Sequence, residues 1–357
     1  MTHPYRSQQP RAFWKRTITG RHPLDVDQWY EKRFSLEGQK IATAGSCFAQ
    51  HIGRHLRQSG FAYLDAEPVP EGLPAEQHLD YGYGMYSARY GNVYTSRQLL
   101  QLARRALGKF TPAESHWEKG GGVVDPFRPT IEPEPFGSVE ELDILRRAHL
   151  DAVAGLLAEA DVFVFTLGLT EAWLDARDGA AFPLCPGTAG GSFDDTRHRF
   201  HNLTAAEVLA DMEAFIALAR GINPGLRFLL TVSPVPLMAT ASADQVAVAS
   251  SYSKSVLRAV AGELRDNHDF VDYFPSYEIV TAPFMQGFFY QPDAREVSMH
   301  GVEHVMRVFF SQHGTARPEP ASPPEATEIS AHQAEREAEQ VKCDEELLAS
   351  FGGKDLT

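Results

Sequence analysis

The sequence has few cysteines, an excess of acidic over basic residues and no long apolar run, and each of these features argues against a class of protein. Its 357 residues contain only three cysteines, Cys47, Cys185 and Cys343, whose spacing is that of neither a disulfide framework nor a metal site. Lysine and arginine number 33 against 47 aspartates and glutamates, which gives a net charge of −14. This deficit of positive charge argues against a nucleic-acid partner. The few cysteines fit a reducing compartment, and we predict no metal and no cofactor.

Long apolar runs are also missing. No run approaches the roughly 18 to 20 residues that cross a bilayer, and residues 1–16 lack the apolar core of a signal peptide. We therefore predict a cytoplasmic protein with no membrane span. Hydrophobic residues make up 43% of the chain, enough to bury one large core or two modest ones.

Short apolar runs alternate with amphipathic segments over most of the chain. The strand-like runs are 41–44, 161–168, 226–233 and 270–274, and the helical segments are 142–160, 204–222 and 251–266. The runs are rich in Val, Ile, Leu and Phe, as is typical of strands buried in a parallel sheet. The alternation predicts an α/β fold whose mainly parallel sheet is covered on both faces by helices. Thr204 followed three residues later by Glu207 predicts a capping box.

Three segments fall outside this alternation. Residues 66–140 and 178–202 are rich in Gly, Pro and aromatic residues, and we predict that they are long loop insertions that wall a pocket. Residues 315–357 are rich in Pro and Glu, which predicts a disordered linker with a weak acidic helix. We expect one α/β domain over residues 1–314, followed by this acidic tail.

Polar residues follow the predicted strands, at the sheet edge where ligands bind in open parallel sheets. Ser46 and Cys47 come after the first strand and open a helix. A thiol at a helix N-terminus has a lowered pKa, and the free backbone N–H groups there can stabilise an oxyanion. The alternatives are that Ser46 is a helix cap and that Cys47 is a small buried side chain.

Several stretches of the sequence resemble one known family. They are TAGSCFA, YGNVYTSRQL, VFTLGLTEAW, LTVSPVPL, SYSKSVLRA and YFPSYEI. Together they closely resemble the GSCFA family, from about Phe13 to Phe310. The resemblance implies a branch of the SGNH, or GDSL-like, hydrolase superfamily, with a flavodoxin-like three-layer α/β/α sandwich. It implies a hydrolase or acyltransferase acting on an acyl ester, of a carbohydrate or another small molecule. The alternative is a non-catalytic module that binds a glycan or a partner protein; the oligomeric state stays open.

The first motif of that superfamily, Gly-Asp-Ser, falls on Gly45-Ser46-Cys47. Aligning the glycines puts Cys47 in the position of the nucleophile, whereas a shift of one residue puts Ser46 there. A thiol is intrinsically the better nucleophile when its pKa is lowered.

The later oxyanion motif, Gly-x-Asn-Asp, begins at Gly168 and has Thr170 in place of the asparagine donor. Thr170 has a single hydroxyl hydrogen to donate. Asn92 is a substitute donor, or else a turn residue. The nearby Glu171 is predicted to be a site carboxylate, because Trp173 beside it offers a flat apolar face to a sugar ring.

The last motif, Asp-x-x-His, aligns on Asp293 but has Glu296 where the histidine base belongs. His300 and His304 follow and are alternative bases, although a histidine at a helix start is often a capping or surface group. Glu296 could serve as base only if burial raised its pKa.

Three other charged positions have structural alternatives. Glu171 and Glu278 are either site carboxylates or ion-pair partners of Arg89 or Arg128 in the first insertion. The adjacent Ser253 and Lys254 resemble a catalytic dyad, but neighbours in a helix do not face each other, so we discount a dyad.

Overall fold

The computed structural model describes residues 3–314 and 341–352. The α-helices are α1 (Trp14–Thr17), α2 (Cys47–Gln58), α3 (Ser96–Ala106), α4 (Val139–Glu159), α5 (Ala205–Ile222), α6 (Val246–Asn267), α7 (Ser276–Thr281) and α8 (Met299–His313). The strands are β1 (Ile41–Gly45), β2 (Trp117–Lys119), β3 (Gly122–Val124), β4 (Val162–Leu167), β5 (Glu171–Asp175), β6 (Ala181–Phe182), β7 (His198–Asn202), β8 (Arg227–Val232) and β9 (Val271–Tyr273). Short 3-10 helices lie at Pro4–Ser7, Pro10–Ala12, Pro23–Asp25, Ala75–Gln77, Pro283–Met285 and Asp344–Phe351.

The central sheet contains four parallel strands in the order β1-β4-β8-β9. Gly45 at the end of β1 lies opposite Thr166 of β4, which lies opposite Thr231 of β8, so the carboxyl ends of these strands share one edge. A parallel bridge between Ile41 and Tyr63 continues the sheet beyond β1. With that bridge the order matches the 2-1-3-4-5 order of doubly wound, flavodoxin-like sheets.

Helices cover both faces of the sheet because alternate strand residues point to opposite sides. Ile41, Val162 and Leu229 share one apolar cluster with residues of α2, α7 and α8. The intervening Ala42 and Phe163 belong to a second cluster that includes residues of α3, α4, α5 and α6. The predicted α/β sandwich of three layers is therefore confirmed.

The two insertions contain more regular structure than the predicted loops. Residues 66–140 include α3, whose first turn is closed by a capping box between Thr95 and Gln98. Residues 178–202 supply β6 and β7, which flank β5 in a three-stranded antiparallel sheet. The loop prediction was wrong at these places, because Gly, Pro and aromatic residues around each element masked its short apolar pattern. The capping box predicted at Thr204 and Glu207 is present at the start of α5.

The C-terminal tail is described in part. The predicted disordered linker falls largely on residues 315–340, which lie outside the described residues, as do residues 353–357. Residues 341–352, here called the C-terminal segment, carry the 3-10 helix Asp344–Phe351 and return to the edge of the sheet. Within the described ranges, no helix combines the length and apolar character needed to span a bilayer.

Candidate functional site

Two glycines bring the Gly-Ser-Cys turn against the end of β4. Gly45 has a φ of +147°, and a Cβ there would lie 2.6 Å from the carbonyl oxygen of Thr166. A Cβ on Gly168 would lie 2.9 Å from the Cβ of Ser46. Only glycine fits both approaches. Both glycines were predicted site residues, and they act here through the backbone, closing the turn onto the neighbouring strand.

Ser46 and Cys47 have different surroundings. Ser46 stands at the N-cap of α2, but its hydroxyl makes no capping hydrogen bond and is buried without a partner. The interpretation of Ser46 as a helix cap is therefore wrong. Ser46 lines a narrow cavity of about 10 Å³, whereas Cys47 lines both this cavity and a neighbouring one of about 580 Å³. Cys47 is thus the residue with access to a space that can hold a ligand.

The large cavity has a wall of both polar and apolar side chains. Its lining residues are Cys47, Phe48, His51, Val235, Gln291, Arg295, Glu296, Val297, Met299, Val341, Cys343 and Glu346. The last three belong to the C-terminal segment. The cavity therefore lies between the start of α2, the chain before α8 and the C-terminal segment.

The Cys47 thiol is enclosed by this segment. A hydrogen bond with Cys343, together with burial and the nearby Glu345, raises the pKa of Cys47 well above its ordinary value. The predicted lowering of this pKa by the helix N-terminus is wrong for the closed site. The physical reason is that the second thiol, burial and the carboxylate of Glu345 all disfavour the charged thiolate.

Lys254 of α6 is also part of the site. Its Nζ donates a hydrogen bond of 2.5 Å to the carbonyl oxygen of Gly168, and the side chain lines the narrow cavity with Ser46 and Cys47. Burial lowers the pKa of Lys254 to about 8. The adjacent Ser253 accepts a 2.9 Å hydrogen bond from the backbone N–H of Thr170. Both side chains therefore contact the turn after β4, although neighbours in a helix were expected to diverge.

His51 lies one helical turn after Cys47 and lines the same large cavity. Its side chain is buried, and its Nδ1 has no hydrogen-bond partner. Burial, with smaller contributions from Arg54 and His55, lowers the pKa of His51 to about 3. The ring is therefore neutral at physiological pH and is a weak proton acceptor.

Two side-chain amides bind a backbone carbonyl beside the thiol. Gln50 Nε2 and Asn92 Nδ2 donate hydrogen bonds of 2.9 and 3.0 Å to the carbonyl oxygen of Lys342. The next residue along the chain is Cys343, whose side chain contacts Cys47. The hydroxyl of Tyr86 lies 2.6 Å from Asn92 Oδ1 and so orients the amide. Asn92 is thus a donor inside the site rather than a turn residue.

The residues after β4 have two roles, because Thr170 binds a neighbouring strand and Glu171 and Trp173 line a cavity. Thr170 Oγ1 donates to Asn202 Oδ1 at 2.6 Å, so its one hydroxyl hydrogen is already used. Glu171 accepts a 2.6 Å hydrogen bond from Thr240, and burial raises its pKa. Glu171 and Trp173 line a third, largely apolar cavity of about 260 Å³.

The ion-pair alternatives for the glutamates are wrong. Arg89 pairs with Glu132 at 2.5 Å and Arg128 with Asp125 at 3.2 Å. Glu278 instead pairs with Arg258.

The predicted acid–base residues near α8 are dispersed. Asp293 accepts hydrogen bonds from the backbone N–H groups of Arg295 and Glu296, at 3.0 and 3.1 Å, and so stabilises its own turn. Glu296 is exposed and lines the large cavity. His304 stacks on Phe289, with ring centroids 4.9 Å apart, and His300 is exposed. Among the described residues that line the cavity, neither histidine appears.

Sequence reasoning missed four residues of the site and set aside a fifth. The four are Gln50, His51, Arg295 and Cys343, and the fifth is Lys254. Gln50 and His51 could have been found, because residues three and four positions after Cys47 lie on its face of the helix. Nothing in the tail's composition pointed to Cys343.

The comparisons with known proteins bear on the family. No curated protein and no solved structure matches the chain. Within the part of the chain that the structure describes, no cluster of three or more His, Cys, Asp or Glu could hold a metal ion. The model of the GSCFA family matches residues 40–309, a range that contains the Gly-Ser-Cys turn and every strand of the central sheet. The chain belongs to the GSCFA family.

Proposed function

We propose that the protein is an acyl-transfer enzyme, a hydrolase or transferase of acyl esters, with Cys47 as the nucleophile. The observation that supports it most is the carbonyl of Lys342 held by the amides of Gln50 and Asn92. A pair of donors beside a thiol is what the oxyanion of an acyl-transfer intermediate requires. A substrate carbonyl would take the place of the Lys342 carbonyl when the C-terminal segment leaves.

Residues of the site account for proton transfer, nucleophilic attack and stabilisation of the oxyanion. Lys254, in its neutral form, accepts the proton of the Cys47 thiol, and the thiolate attacks the acyl carbon. The Gln50 and Asn92 amides donate to the oxyanion. The leaving alkoxide takes the proton back from Lys254 as the thioester forms. Water or an acceptor alcohol then gives a proton to Lys254 and attacks the thioester; the C–S bond breaks, and the Cys47 thiolate takes that proton. Lys254 is preferred to His51 as the base because its pKa, about 8, lies closer to neutral pH.

The chemistry of the apolar cavity and of the larger cavity suggests the kind of ester. The cavity of about 260 Å³ includes Leu169, Trp173 and Phe200 in its wall and suits an apolar acyl group. The larger cavity, with Arg295 and Glu296, suits a polar alcohol such as a sugar. Leu169, Leu237 and Glu345 line both the apolar cavity and the narrow one, and Cys47 lines both the narrow cavity and the larger one.

A non-catalytic binding module is the second candidate. The observation that favours it is the absence of His300 and His304 from the described residues that line the Cys47 cavity. A cleft that already holds a peptide segment of its own chain can also bind a glycan or a partner protein.

One experiment separates the two. The reduced full-length chain is assayed with p-nitrophenyl acetate, butyrate and octanoate, and the acyl-enzyme is trapped by acid and mapped by mass spectrometry. The proposal predicts an acyl adduct on Cys47, loss of turnover in Cys47→Ala and retention of turnover in Ser46→Ala. Turnover that survives Cys47→Ala and disappears in Ser46→Ala would assign the nucleophile to Ser46. The absence of turnover and of any adduct would favour the binding module.

A further inference from the structure

The C-terminal segment closes the candidate site. Cys343 and Glu346 line the large cavity, Glu345 lines the narrow one, and Leu348 lines the apolar one. One short stretch of chain thus borders the two cavities that Cys47 lines and the apolar cavity beyond them. Because Cys47 is only 6% exposed, the segment limits the access of a molecule from solution to the Cys47 sulfur.

Polar contacts hold the segment in place. Asp344 accepts hydrogen bonds of 2.9 Å from Asn92 Nδ2 and 2.5 Å from Thr130 Oγ1. Glu345 lies 3.5 Å from Arg295 Nη2. The apolar side chains contribute less, because Leu347 and Phe351 are 41% and 71% exposed. Water can replace polar contacts of this kind, which lowers the free energy needed for the segment to leave.

Because Cys343 lies beside Cys47 when the C-terminal segment covers the cleft, the two thiols can react with each other. Both thiols are free and buried, and both line the large cavity. Gln50, three residues after Cys47 in α2, binds the carbonyl oxygen of Lys342, the residue before Cys343. Arg295 Nη2 lies 3.9 Å from the Cys343 sulfur. We propose that Cys47 and Cys343 form a redox modification site, in which a disulfide between them locks the C-terminal segment over the cleft. The proposal concerns the two thiols alone and holds whether or not Cys47 is a nucleophile.

The oxidant is a small disulfide such as oxidised glutathione. When the segment is away from the cleft, the Cys343 thiolate attacks one sulfur of oxidised glutathione and releases one glutathione thiolate. When the segment returns, the Cys47 thiolate displaces the second glutathione from Cys343. Two protein thiols lose two protons and two electrons, and one molecule of oxidised glutathione becomes two of glutathione. Excess dithiol reductant reverses both exchanges.

The test uses the full-length chain. The reduced protein is incubated with excess oxidised glutathione, unfolded, alkylated with iodoacetamide and mapped without reduction. We expect a peptide linked through Cys47 and Cys343, with glutathione on neither of them, and both thiols should become alkylatable again after dithiothreitol; Cys185, the third free cysteine, forms a mixed disulfide with glutathione instead. A second readout is limited tryptic cleavage after Lys342, which should release the C-terminal fragment from the reduced protein and leave it attached in the oxidised protein.

Control variants make the outcome specific. Cys185→Ser should still form the link, and Cys343→Ser should not. A link that involves Cys185, disulfide-linked dimers through Cys343, or glutathione retained on both thiols would overturn the proposal. The proposal would also be overturned if Cys47 and Cys343 were both still fully alkylated once Cys185 had been converted completely to its mixed disulfide with glutathione.

Discussion

Lys254 Nζ lies 2.5 Å from the carbonyl oxygen of Gly168 and donates a hydrogen bond to it. The contact joins α6 to the end of β4, beside the turn that carries Ser46 and Cys47. Because burial lowers the pKa of this lysine to about 8, roughly one tenth of it is neutral at pH 7. The site therefore contains an amine that can take up a proton near neutral pH.

Replacement of this amine tests its role as a base. Lys254→Met should lower kcat/KM for a p-nitrophenyl ester about 10²-fold or more. In the unchanged chain, activity should rise with pH to a plateau with a midpoint near 8, since the neutral amine is the active form and is lost as the pH falls. Lys254→Arg keeps the charge but does not titrate in this range, so it should be as slow as Lys254→Met. Identical pH profiles in the unchanged chain and Lys254→Met would contradict the assignment.

The carbonyl donors give a second prediction. Gln50→Ala should lower kcat by about 10² to 10³-fold, because it removes one of the two amides that face the carbonyl position. Gln101→Ala is the matched control, since Gln101 is also buried and donates a 2.8 Å hydrogen bond to a backbone carbonyl, that of Gly179, outside the three cavities around Cys47. Saturating p-nitrophenyl butyrate gives kcat for both variants. Equal losses would mean that Gln50 acts only through stability.

Much of the fold could be predicted because its signals are local. The strands at 162–167 and 227–232 are apolar runs between turn residues, and the cap at Thr204 is a four-residue pattern. α3 was missed because its polar positions and the surrounding Gly and aromatic residues hide a narrow apolar face. Local patterns therefore identified the sheet and two-sided helix cover, and failed in the insertions.

The site was harder to predict, because it depends on contacts distant in sequence. Asn92 was predicted to be either an oxyanion donor or a turn residue, and the group that it binds, the carbonyl of Lys342, is 250 positions away. Lys254 was set aside because adjacent residues in a helix do not face each other. That rule does not predict which other parts of the chain pack against the helix. The pKa of Cys47 was expected to be low because the effect of Cys343 on it arises only from the fold.

Ser46 gives a prediction about stability. Its hydroxyl is buried and unpaired, so Ser46→Ala removes a desolvation cost and should leave the free energy of unfolding unchanged or raise it by about 1 kcal/mol. Thr204→Ala is the contrasting control, because its hydroxyl accepts from the backbone N–H of Glu207 at the start of α5. That change should lower the free energy of unfolding by about 1 kcal/mol. Urea unfolding measures both, and a Ser46→Ala loss as large as that of Thr204→Ala would mean that Ser46 caps α2 in solution.

The accessibility of Cys47 gives the last prediction. With the C-terminal segment in place, Cys47 is buried and its pKa is raised, so iodoacetamide should alkylate it slowly in the full-length chain. Asp344→Ala removes the acceptor for Asn92 and Thr130, and each such charge-assisted bond contributes about 1.5 to 3 kcal/mol. The segment should therefore open at least about tenfold more often, and Cys47 should be alkylated faster by the same factor. Leu347→Ala, on the same segment but largely exposed, should leave the rate unchanged. Peptide mapping at successive times gives the rate for each cysteine, and an unchanged Cys47 rate in Asp344→Ala would mean that the segment does not control access to the thiol.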